Sequence, residues 1–136
     1  MKRILLPIDG SKRSLSAVQS IESIFPPDKV EVLLLIVRED IDSRSEVVLN
    51  DMEKQSMPIL DQAAALIPRY TVQKIVAFGI PGNEILKYAR EQNVDAMIIT
   101  KRTSTTLSVL LGSVATHLVK YAHCPVIVLP EDHPEI

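Results

Sequence analysis

Short runs of aliphatic residues alternate along this chain with longer amphipathic stretches, and this alternation limits the possible folds more than any other feature. Four runs are apolar almost throughout: residues 4–8, 30–37, 96–99 and 126–129. Nearly continuous Val, Ile and Leu is typical of strands that are covered by helices on both faces, as in parallel sheets. Residues 72–78 form a fifth candidate strand, whose Gln73 and Lys74 suit a sheet edge.

The intervening stretches predict four helices, because their apolar residues recur at helical spacing. Ser11 is a candidate cap of the first helix, Pro58 should kink the second or mark a restart within it, and Asn93 is a candidate left-handed stop of the third. In the first helix the apolar residues at this spacing are Leu15, Val18, Ile21 and Phe25, and the second contains Met52, Leu60, Ala63, Ala64 and Ile67. The third has an inner face of Ile85, Tyr88 and Ala89, and the fourth runs through Leu110, Leu111, Val114, Leu118 and Ala122.

Strands that alternate with helices predict a doubly wound, three-layer α/β/α fold with right-handed crossovers. At 136 residues the chain is expected to form one domain, residues 1–136, with a frayed tail at 131–136.

Composition narrows the classes of partner. The 15 Lys and Arg nearly balance the 17 Asp and Glu, which argues against a nucleic-acid partner. Aromatic residues make up only 4% of the chain, which argues against a surface that stacks the bases of single strands. A single cysteine, Cys124, fits a reducing compartment. The N-terminus reaches Asp9 too soon for a signal peptide, and no apolar run has the roughly 18 residues of a membrane span. We therefore expect a cytoplasmic protein with no membrane partner.

Ligands of doubly wound folds bind beyond the carboxyl ends of the strands, where the strand order reverses. Three segments are candidates, and each also has a purely structural interpretation. Asp9 offers an acceptor to a sugar hydroxyl or an amine, or it only caps the next helix. Residues 100–106, with Lys101 and Arg102 among five hydroxyl side chains, suit an anion or a solvated loop. Residues 111–114 expose helix amides to a phosphate, or form a turn and cap.

Other kinds of site have little support in the sequence. His117, His123 and Cys124 lack zinc-ligand spacing, so we expect no metal site. Cys124 is interpreted as a buried small residue rather than a nucleophile. No G-x-S-x-G, Walker A or G-x-G-x-x-G motif occurs. A phospho-receiver domain needs an aspartate after the third strand, where this chain has Phe78 and Gly79.

The motifs taken in order resemble the universal stress protein family across residues 2–130. The matching segments are residues 4–11, 79–84, 95–99, 111–114 and 122–128. The resemblance implies an adenine nucleotide alpha hydrolase-like fold, with a five-stranded parallel sheet of order 3-2-1-4-5, and a homodimer. In ATP-binding relatives the nucleotide lies beside strands one and four, and the positions of Pro7, Asp9 and Val37 serve its adenosine part.

The resemblance also implies a phosphate loop with the pattern G-x-x-G, nine residues, then G-[S/T]. Gly112 and Ser113 match its end, but Thr100 and Thr103 stand at the two glycine positions, and only eight residues separate Thr103 from Gly112. Glycine lets backbone approach a phosphate closely and adopt positive φ, and threonine does neither well. We therefore expect weak or absent ATP binding, while Lys101 and Arg102 keep a small anionic ligand in consideration.

These observations lead to a main hypothesis and an alternative. The main hypothesis is a non-catalytic stress-response module with weak or absent ATP binding, and the alternative is a functional adenine-nucleotide sensor or slow ATP hydrolase. The expected ligand-binding residues are Pro7, Asp9, Val37, Thr100, Lys101, Arg102, Gly112, Ser113 and Val114. The apolar fifth strand, Val126–Leu129, is the expected homodimer interface, because an exposed apolar edge invites pairing with a second copy.

Overall fold

The computed structural model describes residues 1–39, 46–100 and 112–130. Five strands alternate with four helices along these residues. In chain order they are β1 (Lys2–Pro7), α1 (Lys12–Ile24), β2 (Val30–Arg38), α2 (Glu46–Ala65), β3 (Thr71–Phe78), α3 (Pro81–Glu91), β4 (Ala96–Thr100), α4 (Ser113–Tyr121) and β5 (Val126–Leu129). The expectations for Lys101, Arg102, Leu110, Leu111 and the 131–136 tail lie outside the described residues.

The five strands form one parallel sheet of order β3-β2-β1-β4-β5, which confirms the predicted fold. β1 lies at the centre, and its Leu5 is in register with Leu33 of β2 on one side and Met97 of β4 on the other. β3 occupies one edge, as its polar residues predicted, and β5 occupies the other.

Side chains of alternate residues point to opposite faces of a strand, so the continuous aliphatic runs supply two separate cores. Ile4 and Leu6 join the core that α1 and α2 cover, whereas Leu5 joins the core beneath α3 and α4. These three side chains are no more than 1% exposed. Burial on both faces explains why the strands of this sheet carry unbroken apolar runs.

Local capping fixes two helix ends as the sequence predicted. Ser11 accepts a hydrogen bond from the Ser14 N–H, 3.1 Å, at the start of α1. Asn93 has φ +52° just beyond α3. The Asn93 N–H donates to the Arg90 carbonyl and the Val94 N–H to the Ala89 carbonyl, so α3 ends in a Schellman motif.

The structure decides two details of the helices. α2 runs without interruption from Glu46 to Ala65, so of the two expectations for Pro58 the restart does not occur; packing of the flanking apolar residues Leu60 and Ala63 in the core outweighs the hydrogen bond that proline removes. On α4 the buried residues are Ala115 and Leu118, whereas Val114 is 38% exposed. No helix in the described part of the chain is long and apolar enough to cross a membrane.

The turn between β3 and α3 depends on Gly79, whose φ is +144°. A Cβ atom at this position would lie 2.7 Å from Oε1 of Glu84, whose side chain folds back from the first turns of α3. The Gly79 N–H donates to the Arg38 carbonyl, 3.0 Å, which continues the β2–β3 pairing into the turn. Backbone strain and side-chain contact therefore both require glycine here.

Gly79→Ala is expected to destabilise the protein by about 1–3 kcal/mol, because a non-glycine residue is strained at this φ. Adding Glu84→Ala to this variant removes the side-chain contact but not the backbone strain, so the double variant should recover only part of the lost stability. Urea denaturation of the wild type, the two single variants and the double variant separates the cost of the contact from the cost of the strain. A Gly79→Ala variant within about 0.5 kcal/mol of the wild type would contradict this account.

Candidate functional site

A cavity of about 290 Å³ opens at the carboxyl ends of β1 and β4. β1 has β2 on one side and β4 on the other, so the chain order of the sheet reverses between β1 and β4. Pro7 ends β1, Thr100 ends β4, and both line the cavity together with Ser113 of α4. The cavity therefore lies where doubly wound sheets bind their ligands.

The deep part of the cavity is aliphatic. Five buried side chains of the second core form much of its lining, with Ile8 of the first core beside them. These five are Leu35, Ile85, Ile99, Ala115 and Leu118. None of the described residues that line the cavity is aromatic, so a planar ring bound there would rest on aliphatic groups rather than stack on another ring.

The polar end of the cavity is built by the turn between β1 and α1. Gly10 adopts φ +86°, and the Ser11 N–H donates to Oδ1 of Asp9 at 2.9 Å. The Asp9 N–H donates to Oγ of Ser14, 3.3 Å, and that hydroxyl donates to the Ser11 carbonyl, 3.0 Å. These hydrogen bonds hold the exposed Asp9 side chain at the mouth of the cavity.

Electrostatics keep Asp9 ionised. Partial desolvation raises the pKa of this carboxyl, but hydrogen bonds from Ser11 and Ser14 and the charge of Arg13 act against it, and the net pKa lies below its ordinary value. Asp9 therefore presents an acceptor-only carboxylate to a ligand at neutral pH, suited to hydroxyl or amine donors.

The opposite wall of the cavity contains the start of α4. Gly112 is the N-cap, with φ −65° and ψ 166°, and it makes no side-chain capping hydrogen bond because it has no side chain. Ser113 and Val114, both exposed, follow in the first turn and line the cavity. The first amides of a helix have no partner within it, so this wall offers N–H donors to an anion.

α3 and α4 meet closely beside the cavity. A Cβ atom at Gly82 would lie 2.7 Å from Cδ2 of His117, so the α3 backbone is packed directly against this ring. The His117 ring in turn contacts that of Tyr121, with centroids 4.9 Å apart. Pro81 and Ile85, which flank Gly82 on α3, both line the cavity.

Seven of the nine expected ligand-binding residues line this one cavity: Pro7, Asp9, Val37, Thr100, Gly112, Ser113 and Val114. The other two, Lys101 and Arg102, lie outside the described residues. The role of all nine residues in binding stays a prediction.

The sequence analysis did not select Arg13, Ser14, Pro81 or Ile85, although all four line the cavity. Arg13 and Ser14 could have been found from their positions just after the Ser11 cap, because a cap fixes which residues of the first turn face the strand ends. Ile85 was assigned only to the inner face of its helix.

Cys124 is half-buried and does not line the cavity. Desolvation raises the pKa of its thiol, the Asp95 charge adds to this, and a backbone hydrogen bond opposes it without reversing the net direction. A raised pKa keeps the thiol protonated, which supports its interpretation as a packing residue.

Asp9→Asn is expected to be less stable than the wild type at neutral pH, with the difference shrinking in acid. Because the folded-state pKa of Asp9 is lowered, its contribution is complete above the unfolded value of about 3.9 and is lost as pH falls through the folded value. Thermal melts of both proteins from neutral pH to about pH 3 measure this. Asp28→Asn removes the same charge from an exposed turn outside the cavity and serves as control. A difference that stays constant with pH would contradict the assignment.

Comparison with curated proteins finds universal stress proteins. The chain is 27% identical over 144 residues to universal stress protein MJ0531 of Methanocaldococcus jannaschii, a match that covers 98% of this chain and 85% of that protein. Among solved structures, hypothetical protein MJ0577 of the same organism superposes with a TM-score of 0.83 and 25% identity, covering 97% of each chain.

A universal stress protein family protein of Arabidopsis thaliana, solved with AMP bound, superposes with a TM-score of 0.69 over 99% of this chain and 95% of that one. At 18% identity this superposition shows a shared fold alone. The model of the universal stress protein family matches residues 1–130. This chain therefore belongs to the universal stress protein family.

Proposed function

We propose that this protein is a non-catalytic stress-response module, with residues 1–136 acting as one domain, whose cavity binds the adenosine part of a nucleotide and has weak or no affinity for ATP. The observation that carries the proposal is the position of ionised Asp9 at the mouth of an aliphatic cavity at the switch point of the sheet. An acceptor for hydroxyl groups beside an apolar floor suits a nucleoside.

The ligands of related proteins support an adenine nucleotide. Solved universal stress proteins have been crystallised in complex with cAMP, with AMP and with dAMP. All three ligands carry one phosphate group. The cavity of about 290 Å³ lies just below the range of roughly 300–1,000 Å³ typical of ligand pockets, which suits a small ligand of this kind.

The end of β4 argues against tight triphosphate binding. Thr100 lines the cavity at the position where the phosphate loop of ATP-binding relatives begins with glycine. Its β-branched side chain restricts the backbone and occupies the space through which a glycine would let a phosphate approach. The aliphatic floor adds no ring stacking to compensate.

The charges around the cavity favour binding without catalysis. Asp9 is the one carboxylate among the described residues that line the cavity. The same described lining contains Ser113 but no histidine and no lysine. Phosphoryl transfer to water depends on groups that hold a metal ion and orient the attacking water. One carboxylate that already accepts the Ser11 N–H is a poor candidate for both tasks.

The alternative function, an ATP-dependent sensor or slow hydrolase, has one specific observation in its favour. Gly112 and Ser113, which end the phosphate motif, begin α4 on the cavity wall and leave its first amides available to a phosphate. Release of inorganic phosphate from Mg-ATP that is abolished by Asp9→Asn would favour this function.

Restoring glycine in the phosphate loop tests the proposal. Isothermal titration calorimetry of the wild type should detect AMP and adenosine but little heat from Mg-ATP, whereas Thr100→Gly/Thr103→Gly should bind Mg-ATP at least about tenfold more tightly. Adding Asp9→Asn should weaken binding of every adenosine ligand, and Asp28→Asn should not. A submicromolar Mg-ATP dissociation constant in the wild type would overturn the claim of weak ATP binding.

We propose in addition that the protein is a homodimer through β5. This edge strand pairs with β4 alone among the described strands, and all four of its residues are only partly buried. Val119, 49% exposed, lies on α4, which packs against β5. An unpaired apolar edge next to an exposed valine suits self-association by continuation of the sheet.

Val128→Lys should convert the dimer to monomer, because it places a charge in the proposed interface. Sedimentation equilibrium measures the mass, and thermal melting checks that the monomer is folded. Val72→Lys makes the same change at a half-buried residue of the opposite edge strand, β3, and should leave the dimer intact. Equal dissociation of both variants, or of neither, would place the interface elsewhere.

A further inference from the structure

Arg13 combines three properties that the proposed function leaves unused. It is the second residue of α1, it is half-buried, and its side chain lines the cavity. The first turn of α1 contains Lys12 and Arg13 and no acidic residue. A cation interacts unfavourably with the positive end of a helix dipole, so the charge of Arg13 does not contribute to the stability of this turn, which the Ser11 cap supplies. A residue placed against local preference at a cavity indicates a role in binding.

Arg13 and Asp9 are the two charged residues among the described cavity lining. The positive charge of Arg13 helps to lower the pKa of Asp9, so the two groups interact electrostatically. A guanidinium has five N–H donors in a planar fork, and a single carboxylate uses at most two of them in a bidentate pair. A guanidinium can therefore serve more than one acceptor at a time.

We propose that Arg13 binds the single phosphate of a nucleoside monophosphate and makes the cavity prefer that class of ligand over a nucleoside. The proposal rests on the proposed function, since it assigns one group of the same ligand. Asp9 accepts from the sugar, the aliphatic floor takes the base, and the guanidinium supplies the charge-assisted hydrogen bonds. The α4 amides at Ser113 face the same cavity and add donors for the phosphate.

This arrangement explains how a phosphate is bound although glycine is missing at the end of β4. Positive charge comes from the start of α1 rather than from a close backbone approach at Thr100. A second and third phosphate would extend beyond Arg13 and gain little, so ADP and ATP should bind no more tightly than AMP.

Calorimetry with adenosine and AMP tests the assignment. The wild type should bind AMP about tenfold more tightly than adenosine. Arg13→Gln should remove that preference while adenosine affinity stays within about twofold. Lys12→Gln removes the same charge from the same helical turn, at an exposed residue that does not line the cavity, and should retain the preference. Arg13→Lys keeps the charge without the planar fork and should retain part of it.

A second measurement needs no variant. The AMP preference of the wild type should fall as sodium chloride is raised, while adenosine binding stays constant, because only the phosphate contact is ionic. A preference unaffected by salt, or unchanged in Arg13→Gln, overturns the assignment. Equal binding of AMP and adenosine by the wild type overturns it too but leaves the proposed adenosine site standing. Failure of both ligands to bind overturns the assignment and the proposed function together.

Discussion

The structure depends on the burial of one parallel sheet on both faces. β1 is hydrogen-bonded to β2 and β4, and Leu5 and Leu6 at its centre are fully buried in opposite cores. Because both faces need cover, α1 and α2 cross on one face of the sheet and α3 and α4 cross on the other. Those crossings bring the beginnings of α1 and α4 to the carboxyl edge, where the cavity forms. The location of the site is thus a consequence of how the sheet is covered.

Much of this could be predicted from the sequence, since a strand buried on two faces leaves an unbroken aliphatic run. The Ser11 cap and the Asn93 stop were predictable because each depends on a few neighbouring residues. The strand order was predictable only through the family resemblance, because an aliphatic run does not encode which strands lie beside it. The sequence left open whether α2 restarts at Pro58, because the continuity of the helix depends on packing along its whole length rather than on one lost hydrogen bond.

The site was predictable at the strand ends and less so on the helices. Asp9 and Thr100 follow directly from where β1 and β4 stop. Arg13 depends on the rotation of a helix about its axis, which the start of the helix sets, and an uncertainty of one residue at that start turns a side chain by about 100°. The cavity-lining Arg13 reflects this sensitivity, whereas Val114 was expected at the site and lines the cavity.

The contact between Gly82 and the His117 ring has a consequence for how ligand size is selected. The two helices that wall one side of the cavity are spaced by a backbone lying against an imidazole, and neither residue lines the cavity itself. A larger residue at position 82 would have to displace the His117 ring or shift α3 relative to α4, while every residue that lines the cavity keeps its identity. The width of the cavity and the chemistry of its lining are thereby carried by separate residues, and each is free to change while the other is kept.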